Sequence, residues 1–368
     1  MSPDVLVVGA GLVGACVATE LAEAGHDVLV LEADFIGGGA TAAAMGHLVV
    51  MDDTPFLLEL TAASLRAWES LAPELPDACE DRVTGTLWLA TTDDELQAAA
   101  GRLPALTEAG VAAELLDEDA LAEVEPSLAS GLVGALRVSA DRVVYPPAAA
   151  RFFVDRASAA GARLREGTPV RRLAADHVVL EDGSTIAAGA VVNAAGAKAA
   201  ALSPLPSLVP RRGHLLVTDR VAVPVSHQLV ELGYQASVRG GGGASVAFNV
   251  QPRPTGQLLV GSSREEVGWD PTPDRGLLAR LLARARRFLP GLADTSILRS
   301  WVGFRPSTPD KLPLIGSLGE KEPWVIAGHE GLGITTAPVT ARLLADLMLE
   351  REPALSPEHF RPDRFVAA

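Results

Sequence analysis

The clearest structural signal is the stretch Val5-Leu6-Val7-Val8-Gly9-Ala10-Gly11-Leu12-Val13-Gly14, near the start of the chain. An apolar run typical of a buried strand ends at Gly9, and Gly9, Gly11 and Gly14 form the pattern G-x-G-x-x-G where a helical repeat begins. In such a turn the first glycine permits the bend, the second lets the backbone approach a pyrophosphate, and the third lets helix and strand pack closely. The pattern therefore predicts a dinucleotide-binding βαβ unit, with the phosphates at the helix N-terminus.

Three further features narrow the type of dinucleotide. The next apolar run, 28–31, ends at Glu32, whose carboxylate can accept hydrogen bonds from ribose hydroxyls and disfavours the 2′-phosphate of NADP. A second glycine-rich loop, Gly37-Gly38-Gly39-Ala40-Thr41, follows at once, and a third cluster, Asn193-Ala194-Ala195-Gly196, ends a later strand. The alternative is a set of tight turns without a ligand. Three such clusters together favour an extended FAD over NAD.

Composition excludes several classes of protein. The chain has 368 residues, of which 48% are hydrophobic and 21% charged, as expected for a globular protein of two domains. A formal net charge of −15 argues against binding of nucleic acid. Cys16 and Cys79 are the only cysteines, too few for an iron–sulfur or Cys-ligated zinc centre, and we predict no metal site. The start resembles no signal peptide and no transmembrane segment is apparent, so we expect a cytoplasmic protein.

Four motifs occur in order along almost the whole chain. They are Val7-Val8-Gly9-Ala10-Gly11-Leu12-Val13-Gly14, Asn193-Ala194-Ala195-Gly196, Trp301-Val302-Gly303-Phe304-Arg305-Pro306, and Ala327-Gly328-His329-Glu330-Gly331-Leu332-Gly333-Ile334-Thr335. Together they resemble the FAD-dependent D-amino-acid oxidase superfamily, in its glycine and sarcosine oxidase branch. Segments 45–53 and 328–336 are most similar to the flavin (β) subunits of D-hydroxyproline dehydrogenases, which are related to hydrogen cyanide synthase subunits.

The resemblance implies an α/β fold of the D-amino-acid oxidase and glutathione-reductase type. A Rossmann-like FAD-binding domain would be interleaved with a substrate domain built on an antiparallel sheet. We expect the FAD-binding domain to comprise 1–75, 148–208 and 305–368, and the substrate domain 76–147 and 209–304. Apolar spacing predicts helices over 117–125, 148–160, 277–288 and 335–349.

The same resemblance assigns residues to the cofactor. Thr41 to His47 match the segment beside the isoalloxazine ring, and Val170 matches a backbone contact to adenine, although it could equally be a plain strand residue. We expect the FAD to be non-covalent, because Ala43 stands near the position of the attachment histidine and no late cysteine occurs. The predicted cofactor contacts are Gly9, Gly11, Leu12, Val13, Gly14, Glu32, Ala40, Thr41, Met45, Gly46, His47, Val170, Ala195, Gly196, Gly303, Arg305, Gly331, Leu332, Gly333, Ile334 and Thr335.

Arg305 is the strongest candidate for substrate recognition, because a guanidinium can bind a planar carboxylate through two parallel hydrogen bonds. In an arginine-rich chain the alternative is a structural ion pair. Glycine oxidases carry a second arginine where this chain has Gly331, a difference that favours a larger substrate. His47, His329 and Tyr234 are the other predicted catalytic residues, each with core packing as its alternative.

The implied reaction is oxidation of the Cα–N bond of a small amino or imino acid to the imine, with hydride transfer to flavin N5. D-Hydroxyproline or D-proline dehydrogenase is the favoured activity. A glycine or sarcosine oxidase using O₂, or an electron-transfer subunit with an inactive substrate site, are the alternatives. If the enzyme is a dehydrogenase, any iron–sulfur cluster that accepts its electrons must lie in another subunit, because this chain has too few cysteines. Electron-transfer partner subunits that carry such a cluster or a second flavin are therefore candidate partners.

Overall fold

The computed structural model describes residues 2–50, 53–203, 205, 208–233 and 244–365. Its strands, in chain order, are β1 Val5–Val8, β2 Val28–Leu31, β3 His47–Leu48, β4 Arg82–Val83, β5 Thr86–Ala90, β6 Ala113–Asp117, β7 Gly134–Val138, β8 Arg142–Val143, β9 Arg163–Arg165, β10 Val170–Leu173, β11 His177–Leu180, β12 Thr185–Ala187, β13 Ala190–Asn193, β14 Val209–Thr218, β15 Gln228–Glu231, β16 Ser245–Pro252, β17 Leu258–Arg264, β18 Ile297–Ser307, β19 Leu314–Ser317 and β20 Trp324–Ala327.

The helices connect these strands and cover the sheets. They are α1 Leu12–Glu23, α2 Gly39–Ala43, α3 Pro55–Leu71, α4 Asp93–Ala100, α5 Leu103–Glu108, α6 Glu118–Val124, α7 Pro146–Ala159, α8 Ala199–Leu202, α9 Arg275–Phe288 and α10 Gly333–Met348, with 3₁₀ turns at Ala72–Glu74, Asp77–Cys79, Gly196–Lys198, Pro290–Asp294, Glu358–Phe360 and Pro362–Phe365. The four helices predicted from apolar spacing are confirmed, with their ends within two residues of the expected positions. None of the helices in the described part of the chain is long and apolar enough to cross a membrane.

The first βαβ unit lies at the centre of a six-stranded sheet of order β19-β20-β13-β1-β2-β9. Val7 pairs in parallel with Val192 of β13 and with Val30 of β2. Both faces of β1 and β2 are buried, which explains why their sequences are unbroken apolar runs. α1 connects the two strands and packs against α7 and α10. The predicted βαβ unit is thus confirmed.

An eight-stranded sheet of order β18-β14-β17-β16-β15-β5-β7-β6 forms the second large layer. All of its neighbours are antiparallel except β15 and β5. α9 covers one face, where Phe248 and Phe288 stack with ring centroids 4.3 Å apart in a separate apolar core. On the opposite face, Gly213, Leu215 and Asn249 line a large cavity. One face of this sheet therefore packs against α9, and the other face lines the cavity.

Each of the two large sheets draws its strands from separate parts of the chain. The strands of the six-stranded sheet lie in the ranges assigned to the FAD-binding domain, and those of the eight-stranded sheet in the other ranges. One boundary needs correction, because β18 runs without a break to Ser307, past the expected limit at 304. The small sheet β3-β8-β4 joins both parts, since His47 pairs with Val143. The division into two domains itself stays a prediction.

Candidate active site

A cavity of about 810 Å³ is lined by residues from both large sheets. Nearly all the residues predicted from sequence to bind cofactor or substrate meet there, although they come from widely separated parts of the chain. Those that line it are Gly9, Gly11, Leu12, Val13, Glu32, Ala40, Thr41, Met45, Gly46, His47, Val170, Ala195, Gly196, Gly303, Arg305, His329, Gly331, Gly333 and Ile334.

Three predicted cofactor contacts do not line the cavity. Gly14 faces the turn itself, where a Cβ would lie 2.0 Å from the carbonyl oxygen of Gly9. The Thr335 hydroxyl donates to the carbonyl of His47 at 3.0 Å, so this side chain holds the cavity wall together instead of facing the cavity. Leu332 packs against the main apolar core. Tyr234 lies outside the described residues.

The nucleotide end of the cavity is built from backbone. Gly9 has a φ of +110°, and a Cβ there would lie 2.6 Å from the carbonyl oxygen of Ala194. Around the Cβ position of Gly11 the only neighbour within 4 Å is the Thr41 hydroxyl, at 3.2 Å, so the backbone stands open to the cavity. α1 begins beside it, and the positive end of its dipole faces the same space. This cradle fits a pyrophosphate.

Glu32 is fixed at the mouth of that cradle. Its two carboxylate oxygens accept hydrogen bonds from the backbone nitrogens of Ala10 at 2.7 Å and Asp34 at 2.9 Å. The carboxylate lines the cavity at the end of β2, where a ribose would lie if the pyrophosphate sat at Gly11. Val170, at the start of β10, lines the same end. The residues present therefore fit the adenosine half of FAD.

In the middle of the cavity, the segment 43–47 lies directly on the eight-stranded sheet. A Cβ on Gly303 would be 2.6 Å from the Cβ of Ala43, and one on Gly261 would be 2.9 Å from the sulfur of Met45. Trp301 Nε1 donates to the carbonyl of Ala43 at 3.2 Å. These close contacts explain why glycines are needed on β17 and β18 at these positions.

The two predicted histidines have different surroundings. His47 Nε2 is buried and has no hydrogen-bond partner among the described residues, and burial lowers the pKa of this side chain to about 4. His329 Nε2 lies 3.1 Å from Thr340 Oγ1, which itself donates to the carbonyl of Thr336, so we assign the proton to Nε2. Burial lowers the pKa of His329 to about 4 as well. Both imidazoles are therefore neutral at pH 7, and the Nε2 of His329 is tied to α10 instead of being free to act on a substrate.

Arg305 lies on β18, and its side chain passes over Gly213 of the neighbouring strand β14, where no side chain is in the way. Its Nη1 donates to the carbonyl of Ser263 at 3.1 Å, and a Cβ on Gly213 would lie 2.2 Å from the same nitrogen. Gly331 faces the guanidinium, with its Cβ position 3.8 Å from Nε. A side chain at Gly213 would overlap the guanidinium, so a glycine is needed there for Arg305 to take this position.

Glu330 is a site residue that the sequence analysis did not single out. It lines the cavity beside Arg305 in a left-handed conformation with φ +50°, and its side chain is 8% exposed. Arg211 and Arg264 lie 3.4 and 3.6 Å from its carboxylate. Burial opposes ionisation, but Arg264, Arg305 and Arg211 together hold the pKa of Glu330 below its ordinary value. No local signal predicts this, because the arginines come from other strands.

The family model for FAD dependent oxidoreductases matches residues 4–347 of the chain. The chain belongs to this family. It is 31% identical to glycine oxidase from Geobacillus kaustophilus over 380 residues, which cover 99% of this chain and 97% of the relative. The crystal structure of glycine oxidase from that organism matches with a TM-score of 0.88 and 30% identity over 99% of both chains. L-Proline dehydrogenase from P. horikoshii shares the fold, with a TM-score of 0.89 and 24% identity over 99% of this chain and 98% of that one.

These similarities confirm the predicted fold class, cofactor and class of enzyme. This FAD-dependent oxidoreductase is an amino-acid oxidase or dehydrogenase that acts on CH–NH groups. When bound, FAD supplies the electron acceptor for that oxidation. The finer likeness to D-hydroxyproline dehydrogenase subunits stays a prediction, as do the roles of individual residues.

Proposed function

We propose that the substrate is a small cyclic imino acid of D configuration, such as D-proline or cis-4-hydroxy-D-proline, and that the enzyme is a dehydrogenase. The observation that carries this proposal is the absence of a side chain at Gly331, which lines the cavity next to Arg305 and Glu330. With no second arginine from this loop, a substrate bulkier than glycine can lie against Arg305. Segments 45–53 and 328–336 support the same choice through their resemblance to D-hydroxyproline dehydrogenase subunits.

Arg305 binds the substrate carboxylate in this proposal. Its Nη1 donates to the carbonyl of Ser263, while Arg211 and Arg264 lie within 3.6 Å of Glu330, and the guanidinium of Arg305 lines the cavity where an anionic ligand can meet it. His47 is neutral at pH 7 and lines the cavity as an uncharged polar side chain. The N-terminus of α10, at Gly333, favours negative charge at the pyrimidine end of the flavin. The roles of these residues are to bind, orient and exclude water.

The FAD is held without a covalent bond in this proposal. Ala43 has no group that could form one, and Cys16 and Cys79 are both buried away from the cavity lining. Acid precipitation should release all yellow flavin into the supernatant. Flavin that stays with the pelleted protein would contradict a non-covalent site.

A glycine or sarcosine oxidase is the second candidate, favoured by the 31% identity to glycine oxidase from Geobacillus kaustophilus. The two candidates differ in the electron acceptor. In the dehydrogenase, the electrons pass to an acceptor other than O₂, and we propose a partner subunit with an iron–sulfur cluster or a second flavin. An iron–sulfur cluster must lie in such a partner, because a chain with two cysteines cannot hold one. Slow reoxidation of the reduced flavin in air, followed by stopped flow, supports the dehydrogenase. Rapid reoxidation supports the oxidase.

The test of the proposed function is anaerobic bleaching of the flavin with D-proline, cis-4-hydroxy-D-proline, their L forms, glycine and sarcosine. Bleaching fastest with the D-imino acids supports it, whereas bleaching by none identifies an electron-transfer subunit with an inactive site. Arg305→Ala should raise the substrate KM at least about a hundredfold, as expected for loss of a charge-assisted bidentate contact, with flavin content unchanged. Arg299→Ala, on the exposed part of the same strand, is the matched control.

A further inference from the structure

Three carboxamide side chains lie in a row across the eight-stranded sheet, next to the cavity. Asn249 and Gln251 lie two positions apart on β16, so their side chains point to the same face of the sheet. Asn249 lines the cavity, whereas Gln251 and Gln228 lie behind it in the sheet, outside the cavity lining. Val230 pairs with Asn249 and Leu229 with Val250, and this register places Gln228 opposite Gln251. We call Asn249, Gln251 and Gln228 the amide row.

The amide row contains several polar atoms that nothing in the described part of the chain satisfies. They are Oδ1 of Asn249, both Oε1 and Nε2 of Gln251, and Oε1 of Gln228. Gln251 and Gln228 are completely buried. Buried polar groups in proteins are almost always hydrogen-bonded, because removing them from water without a partner is unfavourable. Adjacent unsatisfied amides beside a substrate cavity therefore point to a ligand.

At the end of the amide row remote from Asn249, Gln228 and the nearby Arg253 have partners among the described residues. Gln228 Nε2 donates to Thr86 Oγ1 at 3.3 Å and to the carbonyl of Arg142 at 3.1 Å. Arg253, which follows the end of β16, forms an ion pair with Glu80. The cation nearest in sequence to Gln251 is therefore already paired with a carboxylate. The unsatisfied atoms are three acceptors and one donor nitrogen, which suits a group that can both donate and accept.

The amide row lies within reach of a substrate held by Arg305. The guanidinium of Arg305 donates to Ser263 on β17, and Asn249 pairs with Gly261, two positions away on that same strand. Two residues along a strand and one step across the sheet amount to roughly 8 Å. Glycine bound at Arg305 would end short of Asn249, whereas an amino acid with a polar group on its side chain or ring could contact both.

We propose that the amide row is a substrate subsite for a neutral hydroxyl or carboxamide group, carried by the amino or imino acid at the end remote from its carboxylate. This rests on the proposed function, since it assumes that the carboxylate lies at Arg305. The row therefore determines specificity among small amino acids, and it favours a hydroxylated ring over an unsubstituted one.

The kinetic test compares cis-4-hydroxy-D-proline with D-proline in the FAD-loaded enzyme. Asn249→Leu and Gln251→Met keep side-chain size and remove the amides. Each should lower the ratio of kcat/KM for the hydroxylated to the unsubstituted substrate at least about tenfold, because a site built to hydrogen-bond a hydroxyl discriminates strongly. Gln97→Met, the same chemical change on the exposed face of α4, should leave the ratio unchanged. A ratio within about twofold of wild type in both variants would overturn the proposal and indicate that water alone fills the row.

A binding measurement keeps the proposal independent of turnover. Proline methylated at Cα, with and without a 4-hydroxyl group, has no Cα hydrogen to lose and can be titrated by calorimetry. The hydroxyl should tighten binding to wild type at least about tenfold and have no effect on binding to Gln251→Met. Equal affinities in wild type would refute the subsite. If wild type oxidises no amino acid at all, the proposed function fails; if it oxidises D-proline without any preference for the hydroxyl, only the subsite fails.

Discussion

The two ends of the cavity are built in opposite ways. At the nucleotide end, Gly9, Gly11 and Gly14 lie within one turn, and the contacts depend on the absence of side chains. At the substrate end, Arg305 and Glu330 carry the charge, and their partners come from strands far away in the sequence. At the nucleotide end the backbone itself can approach a ligand. At the substrate end the sheet brings together side chains from distant parts of the sequence.

This difference predicts how each end responds to mutation. A backbone cradle fails when any atom is added, whereas a cluster of side chains fails when a charge or a hydrogen-bonding group is removed. The nucleotide end should therefore be sensitive to small additions and the substrate end to isosteric replacements. Substitutions at each end can therefore test this contrast.

Gly14→Ala should abolish folding or flavin binding altogether. The added Cβ would lie 2.0 Å from the carbonyl oxygen of Gly9, a backbone atom that cannot move without opening the turn. Gly291→Ala, where no atom lies within 4 Å of the new Cβ, is the control and should change the free energy of unfolding by less than about 0.5 kcal/mol. Flavin content after purification and thermal unfolding measure both. A stable, yellow Gly14→Ala protein would refute the backbone-built cradle.

The same contrast explains what the sequence could predict. The turn from Gly9 to Gly14 and the carboxylate of Glu32 belong to one local βαβ pattern, so residue spacing was enough to predict them. Glu330 could not be assigned a role, because its neighbours Arg211 and Arg264 are placed by the pairing of β14 with β17 and β18. Strand register depends on the whole sheet and leaves no local signal. For the same reason sequence did not reveal Gln228 and Gln251 as neighbours.

Asp141→Asn should stabilise the protein at alkaline pH. Burial raises the pKa of Asp141 to about 7, against hydrogen bonds from Thr86 and Val50 that lower it. The folded state thus keeps a proton that the unfolded state loses near its ordinary pKa of 3.8, so stability falls as pH rises from about 4 to 7. The total loss is about 4 kcal/mol by the difference in pKa. Denaturation at pH 5 and pH 8 should find that the stability of the variant relative to wild type is about 3 kcal/mol greater at the higher pH. A constant difference would contradict a raised pKa.

Glu330→Gln should destabilise the protein by about 3 kcal/mol, because it removes the charge that Arg211 and Arg264 share in a buried site. The pKa of Glu330 is lowered, so its contribution is present above the ordinary pKa of 4.5 and is lost as pH falls through the folded-state value. Glu266→Gln is the matched control, since Glu266 also pairs with Arg211 but is 69% exposed, and it should cost less than about 1 kcal/mol. Urea denaturation at pH 7 compares the two. Equal small effects would mean that the cluster at the substrate end is not a buried network.

Thr41→Val should have the smallest effect and is the sharpest test of the nucleotide end. The Thr41 hydroxyl accepts a hydrogen bond from the backbone nitrogen of Leu12 at 3.1 Å, beside the open backbone of Gly11. Loss of one such bond costs about 1 kcal/mol in the free energy of unfolding of the apoprotein. If the cradle is a property of the backbone, the Kd of FAD should change by less than about tenfold, because the turn from Gly9 to Gly14 stays intact. Thr107→Val, which removes an exposed helical hydroxyl, controls for the change in side chain. A much larger loss of FAD affinity in Thr41→Val would mean that a side chain shapes this end too, and the contrast between the two ends would not hold.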